Sequence, residues 1–300
     1  MIDIEAKRLE GPILEWAFWV LVALCVLSAI FWWTIGLGFL VGLSLLGVLV
    51  LLYGGFVAPR RLQVKTYRLP LVADPQTWVR VAFFSDLHAG EHKGPDFYAQ
   101  VVSRIMGQKP DLILLGGDLV EEVAATVKAL LPLKKLHAPM GKFFILGNHD
   151  FADDPDSVRR QLIVWGFDDV TNAVRHLEKD GRMLNLVALE DAFLGHPKLD
   201  LLHVPQAQPR LLLLHEPDNL FDVEAGDAEV VLVGHTHGGQ IRLPFIGALR
   251  RLPQEAPQWL DRGLKYWKEI PVVISQGIGE SSSRARLFCP PQIVIVELGI

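Results

Sequence analysis

Cysteine is scarce. The 300-residue chain has two, Cys25 and Cys289, which excludes a small fold held together by disulfides. Basic residues are not in excess either. The 29 Lys and Arg stand against 34 Asp and Glu, a net charge of −5, so no global positive field marks a nucleic-acid binder. Internal repeats and low-complexity tracts are missing, and no His-Glu-x-x-His pattern offers a zinc-protease helix. Beyond the first fifth of the chain no long apolar run occurs, which excludes a transporter built from many spans. With half of its residues apolar, the chain has ample surface to offset chain entropy, so global disorder is excluded.

The most local absence is charge. Between Trp16 and Ala58 there is no charged residue. One span needs roughly 20 apolar residues and this run is about twice that, so it predicts two spans in a tight hairpin. Residues 1–58 form the anchor, with spans over about 13–33 and 37–57 and a turn at Thr34, Gly36 and Gly38. Trp32 and Trp33 lie at the turn, and Trp16, Trp19 and Tyr53 near the other ends, as an aromatic belt requires. A cleaved signal peptide has a much shorter apolar core and a basic start, whereas this N-terminus mixes Asp3, Glu5, Lys7, Arg8 and Glu10. The tip carries no Lys or Arg. Lys7 and Arg8 flank one end and Arg60, Arg61, Lys65 and Arg68 the other, which predicts a two-pass protein of the inner membrane with its large domain on the cytoplasmic side. The two cysteines are not expected to pair, in keeping with a reducing compartment.

Residues 59–76 read as a linker or lead-in strand punctuated by Pro59, Pro70 and Pro75, and residues 77–300 as one α/β domain. Strands are expected at Val79–Ser85, Leu112–Leu115, Lys142–Leu146, Leu184–Leu189, Leu211–Leu214, Val230–Val233, Val272–Ser275 and Ile293–Glu297. Several are apolar throughout, as befits strands covered on both faces. Leu119, Val123, Val127, Leu130 and Leu131 keep helical spacing, as do Val158, Leu162 and Trp165. The alternation predicts a layered α/β sheet arrangement.

Polar residues follow five of these runs: Asp86-Leu87-His88, Gly117-Asp118, Gly147-Asn148-His149-Asp150, His215, and Gly234-His235-Thr236-His237. Ligands bind beyond the carboxyl ends of strands in open α/β sheets, so the five ends predict one convergent site. Each piece alone has a plain explanation as a cap, a turn or a hydrogen-bonded histidine. Together they form a His/Asp/Asn set larger than one tetrahedral zinc needs. Two cations about 3.5–4 Å apart would use it fully and would clamp a phosphoryl group.

In these motifs the sequence resembles the calcineurin-like metallophosphoesterase superfamily over residues 78–299, and most of all its membrane-anchored bacterial phosphodiesterases, whose last motif reads like Gly234–Gln240. Gly277-Ile278-Gly279, Arg286 and Pro290-Pro291-Gln292 extend the likeness. Gln292, where Glu is commoner, and the stretch His215–Asp218 depart slightly. The resemblance implies a layered β-sandwich flanked by helices. It implies that Asp86, His88 and His237 hold one divalent metal, that Asn148, His215 and His235 hold a second, and that Asp118 bridges them. It further implies attack by a hydroxide between the metals, with His149 contacting the phosphoryl group and protonating the leaving oxygen, and Asp150 orienting His149 or capping a helix. Manganese suits the oxygen-rich set best, with iron or zinc as alternatives. The other histidines, His92, His137, His176, His196 and His203, read as surface or structural, with His92 nearest to the site.

For substrate, the anchor favours a membrane lipid. The segment 241–259 carries Arg242, Arg250 and Arg251 beside Leu243, Phe245, Ile246, Leu252 and Trp259, a mixture suited to an amphiphilic phosphodiester at the interface. An ordinary packed loop is the alternative. Among membrane-associated members of the superfamily are pyrophosphatases that split UDP-2,3-diacylglucosamine, which becomes the specific candidate; a general phosphodiesterase and a nonenzymatic membrane scaffold are its rivals. Neither nucleic acid nor an obligate protein partner is expected.

Overall fold

The structure, a computed structural model, describes residues 4–90, 92–121, 123–203 and 207–300, with side chains from residue 13 onward. The Lys7 and Arg8 side chains, invoked above for orientation, lie outside the described residues. Helix α1 (Ile4–Thr34) and α2 (Gly38–Leu52) form an antiparallel hairpin whose turn uses Gly36 at φ 75°. The second helix continues through one π turn and a 3-10 turn to Arg60. Segments Ile13–Thr34 and Gly38–Arg60 are long and apolar enough to cross a membrane. Many of their large side chains point outward, Trp33 at 75% and Phe39 at 79% exposure, while Ser28 and Ser44 meet between the helices at 3.0 Å.

The rest is a sandwich of two six-stranded sheets. The first has the order β1 (Gln63–Pro70), β14 (Gln292–Gly299), β2 (Trp78–Phe84), β3 (Leu112–Gly116), β4 (Lys142–Ile145), β5 (Asp168–Asp169). All neighbours in it are parallel except β14 with β2. The second runs β12 (Gly263–Trp267), β13 (Ile270–Ile274), β9 (Val230–Val233), β8 (Arg210–Leu214), β7 (Arg182–Ala188), β6 (Ala173–Lys179). Its four inner strands are parallel and its two edges antiparallel. A short hairpin, β10 (Arg242–Leu243) and β11 (Gly247–Ala248), stands apart.

The period-2 geometry of strands explains why these runs are apolar throughout. Val79, Val81 and Phe83 of β2 and Leu112 and Leu114 of β3 face the second sheet and share one core with its Leu211 and Leu213 of β8. Ala82 and Phe84 turn the other way, onto helices α3 (Pro95–Met106) and α4 (Pro155–Val164) and the 3-10 segment Ala124–Lys135. Leu212, Leu214, Val231 and Val233 cover the outer face of the second sheet.

All eight expected strands are present. Of the two readings of residues 59–76, linker or lead-in strand, the second holds for residues 63–70: they are the edge strand β1, paired in parallel with β14 from Gln63↔Gln292 onward. Its half-exposed, polar pattern hides an edge strand. Two findings differ from expectation. Helix α3, capped by Gly94 with Pro95 at its first turn, was not anticipated. The spacing of Leu119–Leu131 gives a 3-10 segment starting only at Ala124, with Pro132 inside it and Val123 and Leu131 exposed. A proline lacks the amide donor a continuing α-helix needs.

Candidate metal centre

The carboxyl ends of β2, β3 and β4 in one sheet meet those of β8 and β9 in the other, and the site is built where they converge. Asp86, His88, Asp118, His235 and His237 all adopt left-handed backbone angles, with φ between 44° and 64°. Such positions are costly for residues other than glycine and persist where the surrounding structure enforces them. They turn each side chain off the end of its strand into the gap between the sheets. Gly117, at φ 90°, has no such penalty, and a Cβ there would run into His215 and Gly147.

The seven expected ligands come together, and all are buried. Ligand atoms of Asp86, His88 and His237 lie within 4.8 Å of one another, and so do those of Asp118, His215 and His235. Asp118 Oδ2 is 3.5 Å from His88 Nε2 and 3.2 Å from His215 Nε2, so one carboxylate oxygen faces both groups. Asn148 Oδ1 is 3.0 Å from His235 Nδ1, and the Nε2 atoms of His88 and His237 are 2.9 Å apart.

The hydrogen bonds show which ring nitrogens are left for a cation. His215 Nδ1 donates to the Gly116 carbonyl at 2.6 Å, which leaves a lone pair on Nε2 facing Asp118. His235 Nε2 donates to the Pro253 carbonyl at 3.0 Å, which turns the Nδ1 lone pair toward Asn148. His88 Nδ1 is paired with the Glu121 carboxylate, with Nε2 facing Asp118 and His237. Acceptors thus converge on acceptors in two buried places, an arrangement that positive charge resolves. Electrostatics point the same way. Burial works against charge on His88, but Glu121, then Asp118 and Asp86, push it up to about 9. Burial likewise opposes charge on His215, yet Asp118 raises it well above its ordinary value. Burial and the neighbouring His215 lower His235 to about 4, so that ring stays neutral and ready to coordinate. The residues therefore fit a pair of divalent cations.

His149 donates its backbone amide to Asp118 Oδ1 at 2.9 Å and its Nδ1–H to the Glu121 carbonyl at 2.6 Å. The expected contact with Asp150 is replaced. Asp150 accepts the amides of Leu119 and Val120 on one oxygen and that of Gly147 on the other, at 2.8–3.1 Å. It braces the β3 and β4 loops against each other rather than touching His149 or capping a helix. Burial and the nearby Asp118 charge raise it to about 7.

The centre forms the floor of a cavity of about 960 Å³, with Arg250 and Arg251 on its wall. Arg242 is not part of that wall. Its guanidinium is engaged by Asp261 at 2.7 Å and the Gly238 carbonyl at 2.8 Å. His92 does line the cavity, whereas His176 is spent on Asn185 and His203 on Asp227. Two further residues hold the ligands. Glu121 grips His88 and is itself held by the Ser282 amide at 3.0 Å and the Ser281 hydroxyl at 3.2 Å. Arg286, fully buried, places Nη2 3.4 Å from His237 Nδ1 and ties Glu280 and the Gln276 and Cys289 carbonyls together. Arg286 stands out in the sequence without a role; Glu121, an acid three residues after Asp118, gave the only hint of its own.

Comparison with known proteins agrees with this geometry. The calcineurin-like phosphoesterase family profile matches residues 79–239, just over half of the chain. The uncharacterized metallophosphoesterase YkuE of Bacillus subtilis is 28% identical over 82% of this chain and 88% of its own. The phosphodiesterase YaeI of Escherichia coli is 29% identical over 82% and 92%. The UDP-2,3-diacylglucosamine pyrophosphatase LpxG of Chlamydia trachomatis is 26% identical over 83% and 93%. The chain belongs to the calcineurin-like phosphoesterase family, which uses a dinuclear metal site, and is a metal-dependent phosphoric ester hydrolase.

Proposed function

We propose that this hydrolase is held in the inner membrane by its helical hairpin and cleaves a phosphodiester or pyrophosphate bond in a lipid-linked substrate on the cytoplasmic side. The observation that carries the reaction is the pair of buried ligand groups that share Asp118. Asp86, His88 and His237 would hold one cation and Asn148, His215 and His235 the other, with manganese favoured by the three oxygen donors. When bound, the cations supply Lewis-acid charge and a water acidic enough to ionise near neutral pH. His149 faces the cavity with Nδ1–H already committed to Glu121, so Nε2 is the atom that can hold a proton for the leaving oxygen. Arg250 and Arg251 bring positive charge to the wall, where a second phosphate or a headgroup would lie.

The lipid-linked substrate is supported by the two candidate spans and by the likeness to LpxG, which makes UDP-2,3-diacylglucosamine the first compound to test. The likeness to the phosphodiesterase YaeI favours a second reading, a broader phosphodiesterase acting on other lipids or nucleotides. The cytoplasmic orientation rests on Arg60, Arg61, Lys65 and Arg68 following the second span. Turnover of UDP-2,3-diacylglucosamine by the detergent-purified full chain with Mn, products identified by mass spectrometry and Asn148→Ala as control, separates the readings. Release of UMP by the wild type alone is the expected result. Cleavage of a simple aryl phosphodiester without it would favour the broader enzyme.

A further inference from the structure

We infer that the hairpin is not merely a tether but one wall of the substrate site, and that it receives the apolar part of a membrane-embedded phosphoester while the phosphate lies on the metal centre. The inference deepens the proposed hydrolase reading and rests on it.

The cavity above the ligands is continuous from His88 and His237 to Trp16 and Trp19 of α1. Arg250 and Arg251 line the same cavity, so its lining joins candidate metal ligands, basic groups and aromatic rings. Trp16 is 71% exposed, an indole left open on a cavity wall. Such rings suit the boundary between headgroup and acyl chain.

The wall is fastened, not leaning. Glu15 Oε2 pairs with Arg284 Nε at 2.7 Å, and Glu15 Oε1 accepts from the Trp19 indole at 3.1 Å. The Arg284 guanidinium lies 5.9 Å from the Trp19 ring and 4.9 Å from that of Phe56. The carbonyl of Gly54, at the end of the second helix, accepts the Arg286 amide at 2.9 Å. Arg286 is also the residue beside His237. The same loop supplies Ser281 and Ser282, which hold Glu121 and line the cavity. Arg284 and the Arg286 amide, which dock the hairpin, thus lie within two residues of Ser282 and of the Arg286 guanidinium, which shape the candidate metal centre. A substrate moving in the membrane plane would reach the floor by passing Trp16. A short-chain ester would not use that wall.

The test compares two esters that differ only in their alkyl group, hexadecyl 4-nitrophenyl phosphate and methyl 4-nitrophenyl phosphate, hydrolysed by the full-length protein with Mn in dodecylmaltoside micelles. The wild type is expected to prefer the hexadecyl ester in kcat/KM. Trp16→Ala should lower that preference about tenfold, chiefly through KM, the loss expected for one aromatic side chain's contact. Trp16→Phe should restore most of it, and circular dichroism with metal analysis checks that both variants are folded and loaded. A wild type without chain preference, or a preference that survives Trp16→Ala, overturns the inference while leaving the hydrolase intact. Failure of the wild type to cleave either of these esters or UDP-2,3-diacylglucosamine would overturn the hydrolase reading itself, and this inference with it.

Discussion

At the scale of single residues, the candidate metal centre is supported by side chains outside the expected ligand set. Glu121 is the clearest case, because a carboxylate on the far nitrogen of His88 fixes its ring and raises its basicity. Glu121→Gln should weaken Mn binding by about 10- to 100-fold, read by calorimetric titration, and an unchanged affinity would reduce Glu121 to a loop tie. Lys93 makes a different prediction. It is buried on Glu280 at 2.7 Å, beside Arg286, and burial lowers it to about 8 despite that carboxylate. The folded state releases this proton near pH 8, whereas the unfolded chain keeps it up to about 10.5. Between those values the unfolded state binds more protons, so stability rises with pH there, by up to about 3 kcal/mol. Melting of wild type against Lys93→Met over pH 7.5–10.5 should show that rise in the wild type alone. The convergence of the candidate ligands was legible because His, Asp and Asn after strand-like runs are rare in combination. Glu121 was not, since an acid in a loop is ordinary until a histidine is seen against it. Arg242 misled for the converse reason: its charge reads as free until Asp261 is found beside it.

At the scale of elements, the five loops work only if they keep their spacing, and Asp150 sets it between two of them. Its three amide partners span the β3 and β4 loops. Asp150→Asn replaces one acceptor oxygen by a donor facing an amide, which should cost about 1–3 kcal/mol in thermal or denaturant unfolding. Because His149 is held by Glu121 instead, the pH dependence of kcat should keep its form; a lost or shifted limb would return Asp150 to the proton-transfer step. Strands with two covered faces announced themselves, since Val79–Phe84 or Val230–Val233 can be little else. Edges were harder to read. β1 was legible only as a linker or lead-in strand, and β6 and β12 not at all, because each exposes part of one face and its apolar content is diluted by Lys65, His176 or Lys265. Helix α3 was hidden in the same way, burying Tyr98, Val101 and Ile105 beneath a polar outer surface.

At the scale of the molecule, the site is a joint between the two sheets. Asp86, His88, Asp118 and Asn148 come from one, His215, His235 and His237 from the other. Cations bound there resist separation of the sandwich, so chelation should lower the melting temperature as well as abolish turnover. At metal concentrations about 100 times Kd the linkage is about 2.7 kcal/mol for each cation. Scanning calorimetry with and without EDTA measures it, and an unchanged Tm would mean the sandwich stands without its metals. The first sheet has a further consequence, for biosynthesis. Strand β14 lies between β1 and β2, yet nearly the whole domain separates it from them along the chain. At about 5–20 residues per second, β1 and β2 leave the ribosome roughly 10–40 s before the strand that joins them. During that wait two strand edges are open, and the candidate ligands Asp86 and His88 that follow β2 have no finished sheet to hold them. Newborn chains should therefore depend on chaperones, or on a slowed start to neighbouring contacts, far more than the finished protein does.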